Sequence, residues 1–560
     1  MFCGNGSSES NLFFLRHFKR HQICNGVKKN LEKLLQKAFL SLKNTKEVGY
    51  FTMPKIVVDF PKDEKFGDYA TNVAMVLSKN LKKNPLEIAN MIKDEILKQV
   101  QADNFSKIEV AAPGYINFYL APKYLQDKIA EINELGEKFG NLDLGKGIKV
   151  NNEFISANPT GPLTVGNGRG GFCGDSLSRV LKKGGFEVVS EYYVNDSGGQ
   201  ILKLGHSVLK DNEAVYAGGY IDKLNKKYGQ SKEVEAVGQL AAADILEDII
   251  KKTVAEKMRI SFDEWISEKN IKAEKYVERA IEILKNKKLT YEAEGALWFK
   301  TTDFGDDKDR VLIKSDGQPA YFAGDCGYML YKIERGFGRL IIGLGADHHG
   351  YIARLQALAT ALGFKGDFRF IIVQLVRIVK DGKEARMSKR AGNVVAIDDL
   401  IDKVGHDVAR FFFLMYSPNT HMSFDLSLAE EKSQKNPVFY VQYAHARICS
   451  ILSKVKTEKE KVKSDANLSL LIHDKELSLM REMSRFPELV EEIAESYEVH
   501  KLPHYSIKLA DKFHSFYNDL KVIDEGNPET TKARLNLVNA VRIVLAETLK
   551  LIGVEAPNKM

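Results

Sequence analysis

The sequence predicts an α/β chain in three parts: a small α+β domain, a central parallel sheet with helices on both faces, and an all-helical end. Three observations carry that expectation. Over residues 147–194 a strand pattern, a glycine-dense run, a helix pattern and a second strand pattern follow one another, which is the order of a βαβ unit. The same alternation returns over 339–376, and beyond about residue 400 strand signals give way to long amphipathic stretches. At 560 residues and 44% hydrophobic, the chain also exceeds the ~250–300 residues that one core normally serves.

Residues 1–25 hold one acid, Glu9, against Arg16, Lys19 and Arg20, and read as a disordered tail or an extension beyond the native start, with only a faint likeness to an organellar presequence. The first domain is expected over 26–122. Leu31, Leu34, Leu35, Ala38, Phe39 and Leu42 recur at helical spacing, KIVVDF (55–60) reads as a strand, and 69–81 as a helix. In GYINFYL (114–120), Ile116, Phe118 and Leu120 alternate with Tyr115, Asn117 and Tyr119, predicting one buried face and one open face of aromatic and amide groups.

The central domain is expected over 123–420, with strands at 148–155, 187–194, 339–345 and 368–376, helices at 172–182 and 351–362, and a helical insertion at about 205–295. Residues 421–560 complete the chain as a bundle. Its last helix has Leu535, Val538, Val541, Leu545 and Leu549 as a core stripe and Lys532, Arg534, Arg542 and Lys550 outside it.

A formal charge of +7 and a pI of about 8.7 suit a polyanionic partner without demanding one. Five scattered cysteines without a CxxC pair argue against a disulfide framework or a zinc site and favour a reducing, cytoplasmic setting. No apolar run approaches the ~18 residues of a membrane helix.

The glycine-dense run PTGPLTVGNGRGG (159–171) fits neither GxxxxGK[ST] nor GxGxxG cleanly, yet its place between strand and helix would let a phosphate approach a helix N-terminus. A second glycine-and-base segment, KDGKEARMSKRAGN, occupies 380–393. ANPTGPLTVGN (157–167) and RMSKR (386–390) resemble the two signature motifs of class I aminoacyl-tRNA synthetases. Further stretches, in the same order, resemble the arginyl-tRNA synthetase family in particular: FGDYATNVAM (66–75), EFISANPTGP (153–162), YYVNDSGGQI (192–201), GQPAYFAGDCGY (317–328), GADHHGY (345–351), NPVFYVQYAHARI (436–448) and APNKM (556–560). The resemblance runs from about residue 28 to the end.

That resemblance implies a Rossmann-like parallel-sheet catalytic domain, a tRNA-binding additional domain at 26–122 and a helical anticodon-binding domain at 421–560. The implied reaction joins L-arginine to its cognate tRNA through an arginyl-adenylate, with activation itself requiring tRNA. The substrate carboxylate is the nucleophile, so the protein supplies positioning and charge stabilisation. ATP enters with Mg²⁺ as co-substrate, with no tightly bound cofactor and no metal site in the protein.

The catalytic set implied is Thr164, Gly166, Asn167, Arg386, Ser388 and Lys389, and ATP is met by Pro159, Gly161, Gly166, Asn167, Met387 and Lys389. Thr164 and Asn167 stand where the family usually has histidines, and neither carries an imidazolium charge. That departure keeps open an alternative, a catalytically weakened tRNA-binding paralogue. A guanidinium presents paired donors and needs a matching carboxylate. By resemblance Tyr321 and Asp325, four apart, face the guanidinium, while Glu153, Ser156 and Asn158 hold the α-amino and carboxylate groups, and Asp347 with His348 completes the wall. Residues 202–316 leave no room for the large editing insertion of some relatives, in keeping with a polar pocket that rejects isosteres unaided. Tyr115 and Asn117 match positions that read a tRNA base, and Tyr517 and Met560 are the expected anticodon contacts. A monomer without membrane association is expected.

Overall fold

A computed structural model describes residues 26–43, 54–61, 63–99, 104–346, 350–384, 395–454 and 466–560. The expected tail at 1–25 lies outside the described residues, as do Asp347, His348, Arg386, Met387, Ser388 and Lys389.

The first domain is a four-stranded antiparallel sheet of β1 (Val58–Asp59), β2 (Tyr69–Thr71), β3 (Phe105–Ala111) and β4 (Tyr115–Leu120), in the order β1-β2-β4-β3. Helices Val27–Lys43, Val73–Leu81 and Pro85–Leu97 accompany it. Ile116, Phe118 and Leu120 are buried, as their alternation predicts. Asn117, expected on an open face, is only 2% exposed, because β4 is an interior strand that sets it between Ala70 and Glu109. Tyr69 is likewise in a strand rather than in the first turn of a helix, since it pairs with Phe118.

The central sheet has five strands, all parallel: β5 (Lys149–Glu153), β6 (Glu187–Val194), β7 (Glu264–Ser267), β11 (Arg339–Gly345) and β12 (Asp367–Val373), in the order β12-β11-β5-β6-β7. The chain starts in the middle at β5, runs outward through β6 and β7, then returns to the other side of β5 with β11 and β12. The order therefore reverses between β5 and β11, and the crevice at their carboxyl ends is where a doubly wound sheet receives a ligand. Residues 205–295, expected to be helical, also carry the edge strand β7 and β8 (Thr290–Ala293), which joins β9 (Ala296–Phe299) and β10 (Arg310–Ile313) in a small antiparallel sheet.

Two further expectations are corrected. The run 368–376 divides, since β13 (Val376–Lys380) leaves the parallel sheet to pair with β14 (Lys383–Glu384) and β15 (Met422–Asp425). Strand structure thus continues past residue 400, in a four-residue segment too short to show alternation. The remainder is helical, with Pro437–Ser453, Asp474–Ser484, Phe486–Ser496, Lys501–Asp519 and Pro528–Ile552 forming the bundle.

The domains interlock through buried polar contacts. Glu488 of the bundle accepts from the Tyr69 hydroxyl at 3.1 Å and from the Lys28 backbone N–H at 2.9 Å, so it caps the first helix of the N-terminal domain. Lys183 reaches from the central domain to Glu547 of the last helix at 2.8 Å, both side chains buried.

Candidate active site

The β5 strand ends at Glu153, and the chain turns through Ile155 (φ 68°) and Ser156 (φ 42°), both in the left-handed region. A β-branched residue there costs on the order of 1–3 kcal/mol, and such strain gathers where a site is over-determined by its surroundings. Ser156 Oγ donates to Glu153 Oε1 at 3.0 Å and accepts the Tyr193 backbone N–H at 3.0 Å, which holds the turn against β6. Asn158 Oδ1 accepts from Asn195 at 3.0 Å and is fixed to the same strand end.

Most of the glycine-dense run is helix rather than turn. The helix spans Val165–Lys183, seven residues earlier than its apolar pattern suggests. Thr164 is its N-cap, and Thr164 Oγ1 accepts the Asn167 N–H while Asn167 Oδ1 accepts the Thr164 N–H at 2.9 Å, a capping box. The residues at the two expected histidine positions therefore hold each other and close the first turn.

The glycines are explained by packing. A Cβ on Gly168 would lie 2.4 Å from Ile397 Cδ1, on Gly171 2.6 Å from Met258 Cε, and on Gly174 2.2 Å from Phe154 Cγ. At Gly168 the helix packs on Ile397 and at Gly174 on Phe154 at the end of its own strand, too closely for a Cβ without a shift of either side chain. Gly166 and Gly170 meet nothing closer than 3.6 Å and 3.7 Å, leaving a bare stripe on the helix's other side. Gly161 packs under Tyr220, whose hydroxyl donates to Thr160 O at 3.0 Å, and Pro159 is buried.

The segment that follows RMSKR in sequence is joined to this helix start. Val165 N–H donates to Val395 O at 3.1 Å, Ile397 N–H donates to Leu163 O at 2.9 Å, and Thr164 bridges Ala396.

Opposite, the helix Tyr321–Glu334 presents Tyr321 at its open start, 74% exposed, and Asp325 one turn later. Asp325 Oδ2 is buried with no hydrogen-bond partner. Burial pushes its carboxyl up to about 7; Arg354 opposes the shift, and Glu268 and Glu153 add to it. Tyr193 lies among Glu268, Asp325, Glu153 and Tyr321, all of which raise its hydroxyl further after burial has done so. The structure thus gathers Glu153, Ser156, Tyr321 and Asp325 into one acidic cluster near the carboxyl ends of β5 and β6.

Comparison with known proteins agrees with this arrangement. Residues 132–413 match the family model of the tRNA synthetases class I (R) catalytic domain, residues 25–120 that of the arginyl tRNA synthetase N terminal domain, and residues 441–560 that of the DALR anticodon binding domain. The chain is 44% identical over 530 residues to an arginine–tRNA ligase of Listeria monocytogenes, covering 91% of this chain and 95% of that one. It belongs to the arginyl-tRNA synthetase family. An arginine–tRNA ligase of Bacillus subtilis is 42% identical over 534 residues, with the same coverage of 91% and 95%. The arginyl-tRNA synthetase of Thermus thermophilus, at 20% identity, shares the fold with a TM-score of 0.75, covering 95% of this chain and 100% of that structure.

The expected tRNA contacts lie apart from the cleft, in the N-terminal domain and the helical bundle. Tyr115 is 41% exposed on β4, whereas its neighbour Asn117 is not accessible. Tyr517 lies 4.5 Å beneath the Arg447 guanidinium, and His445 and Gln442 of the same helix hold the tail at Pro557 O (2.9 Å) and Glu555 O (3.0 Å), leaving Met560 57% exposed.

Two features escaped the sequence reading. Glu268, first residue of the helix Glu268–Ala273, faces Gly324 with Oε1 3.5 Å from where a Cβ would stand, and it pairs with Lys272 at 2.8 Å. Only tertiary packing brings it beside Asp325. The other is a buried charge network behind Glu153, in which Lys332 meets Glu153 at 2.9 Å and Glu191 at 2.6 Å. Here a signal existed, since Asp325, Tyr328 and Lys332 follow one helical stripe.

Proposed function

We infer that the chain joins L-arginine to its cognate tRNA at the expense of ATP, through an arginyl-adenylate. The observation that carries this reading is the buried, unpartnered Oδ2 of Asp325 in a cleft shared with Glu153 and Glu268, an acidic pocket that a cation completes. In this reading the arginine guanidinium pairs with Asp325, with Tyr321 covering its face and Glu268 adding negative potential. Glu153 takes the α-ammonium, and Ser156 and Asn158 shape the turn that receives the carboxylate. The carboxylate attacks the α-phosphorus of ATP, and pyrophosphate departs.

The capped helix start at Thr164–Asn167 turns a positive dipole end towards the phosphates. Lys389 and Arg386 neutralise the leaving charge in place of the missing imidazoles, with Met387 and Ser388 shaping the same segment, and Mg²⁺ arrives with ATP. Asp347 lines the arginine side. Tyr115, Tyr517 and Met560 contact tRNA, and Asn117 supports Tyr115 from within the sheet. The enzyme works as a monomer in the cytoplasm, and among the described residues no helix is long and apolar enough to cross a membrane. A weakened paralogue draws no support from a pocket that retains its unpaired carboxylate.

Aminoacylation of cognate tRNA with each of the twenty amino acids tests the assignment, and arginine alone is expected to be charged. Pyrophosphate exchange with ATP and arginine is expected only when tRNA is present. Absence of exchange under both conditions contradicts the activity, and exchange without tRNA contradicts the tRNA requirement.

A further inference from the structure

Glu153 and Glu191 occupy paired positions on the adjacent parallel strands β5 and β6, so their carboxylates project to the same face of the sheet. Both are buried. Two such anions side by side would ordinarily push one another towards protonation. Lys332, 0% exposed, lies between them, and its ammonium has three acceptors for its three N–H groups: Asn151 Oδ1, Glu191 Oε1 and Glu153 Oε2. Arg335 continues the alternation, pairing with Glu191 Oε2 and with Glu264 on β7. Charge of alternating sign therefore runs from the cleft across three strands. Although burial disfavours its charged form, Glu191 is held down to about 2 by Lys332 and Arg335.

The lone pairs of Glu153 are nearly accounted for. Oε2 accepts from Lys332 at 2.9 Å and shares the single hydroxyl proton of Tyr328 (3.0 Å) with Glu191 Oε1, while Oε1 accepts from Ser156 at 3.0 Å. A carboxylate has about four acceptor positions. Oε1, with Ser156 as its donor, keeps an open acceptor position.

We propose that Lys332 is a positioning residue for arginine recognition: acting through Glu153, it holds that carboxylate rotated so that an open acceptor position on Oε1 meets the substrate's α-ammonium. The inference rests on the reading that Glu153 binds this ammonium. It makes the network part of the specificity for an α-amino acid, rather than for a guanidinium alone.

The test compares L-arginine with 5-guanidinopentanoate, which keeps the guanidinium and carboxylate but lacks the α-amino group. In aminoacylation by the full chain, Lys332→Met is expected to raise the KM for arginine at least tenfold while the inhibition constant of 5-guanidinopentanoate and the KM for ATP stay within twofold. A second variant, Lys332→Met with Glu191→Gln, removes one buried cation and one buried anion together, and is expected to show the same split if the single variant does not fold. Glu153→Gln provides the reference. If Glu153→Gln discriminates between the two compounds and neither Lys332 variant does, the Lys332 inference is overturned while the reading of Glu153 stands. If Glu153→Gln weakens both compounds equally, the reading of Glu153 is itself overturned, and the inference goes with it.

Discussion

The two ends of the cleft are built from different materials. At the proposed arginine end, the reading places recognition on side chains of regular elements: Glu153 on β5 and Asp325 on the helix Tyr321–Glu334, with the ion pairs of Lys332 and Arg335 behind them. At the proposed nucleotide end, Thr164 and Asn167 are occupied with each other, and the reading leaves the phosphates to a helix start flanked by the bare positions Gly166 and Gly170. The contrast follows from the ligands. A guanidinium is best met by a carboxylate that can accept two of its N–H donors, and Asp325 keeps a buried oxygen unpaired for it. A triphosphate is met by N–H groups that require no particular side chain. Loss of the usual imidazoles is therefore far easier to absorb than loss of Asp325.

The largest effect expected from this contrast is at Asp325. Asp325→Asn should lower kcat/KM for arginine by about 10²–10³, on the scale of 3–4 kcal/mol for one broken buried charge pair, with the KM for ATP unchanged. Steady-state aminoacylation measures it, and equal losses for both substrates would erase the division of labour. Next is Gly174→Ala, which pushes a Cβ into the Phe154 ring and should cost about 1–3 kcal/mol of stability in denaturant unfolding. Unchanged stability would mean that the glycines serve the ligand rather than the packing. Smaller again, Asn167→Ala removes half of the capping box and should cost about 1 kcal/mol in stability and lower turnover by roughly tenfold or less, sparing the KM for arginine. A rise in arginine KM there would join the two ends that the structure separates.

The last effect is on the pH dependence of the stability of the empty protein. Because burial lifts the Asp325 carboxyl to about 7, against an ordinary value of about 3.9, the folded state holds that proton more tightly than the unfolded one. Its contribution to stability is greatest below the unfolded value and is lost as pH rises to about 7. Asp325→Asn lacks this loss, so its melting temperature relative to wild type should climb by on the order of a few degrees between pH 5 and 8. A constant difference across that range would show that the carboxyl titrates normally.

The same contrast explains what the sequence made legible. The strands at 187–194 and 339–345 and the helix at 351–362 stand where their apolar patterns place them, because buried parallel strands and their crossover helices read as continuous apolar runs. Tyr321 and Asp325 were singled out by resemblance to the family, and the structure sets them four apart on one helix. The glycine-dense run misled about local structure, since glycine marks close approach as readily as a turn, and here the close approach is of a helix to Phe154 and Ile397. Asn117 was misplaced because alternation tells which residues share a face, while only the neighbouring strands decide whether that face is covered. Glu268 had no sequence signal at all, since it reaches Asp325 from a separate short helix.

The most direct test of the account is the proton balance of arginine binding, read by calorimetry in buffers of differing ionisation enthalpy. If Asp325 is the partner of the guanidinium and titrates near 7 when empty, arginine binding should release close to one proton per site at about pH 6, little at about pH 8, and none at either pH in Asp325→Asn. Equal proton release by wild type and Asp325→Asn at pH 6 would contradict it.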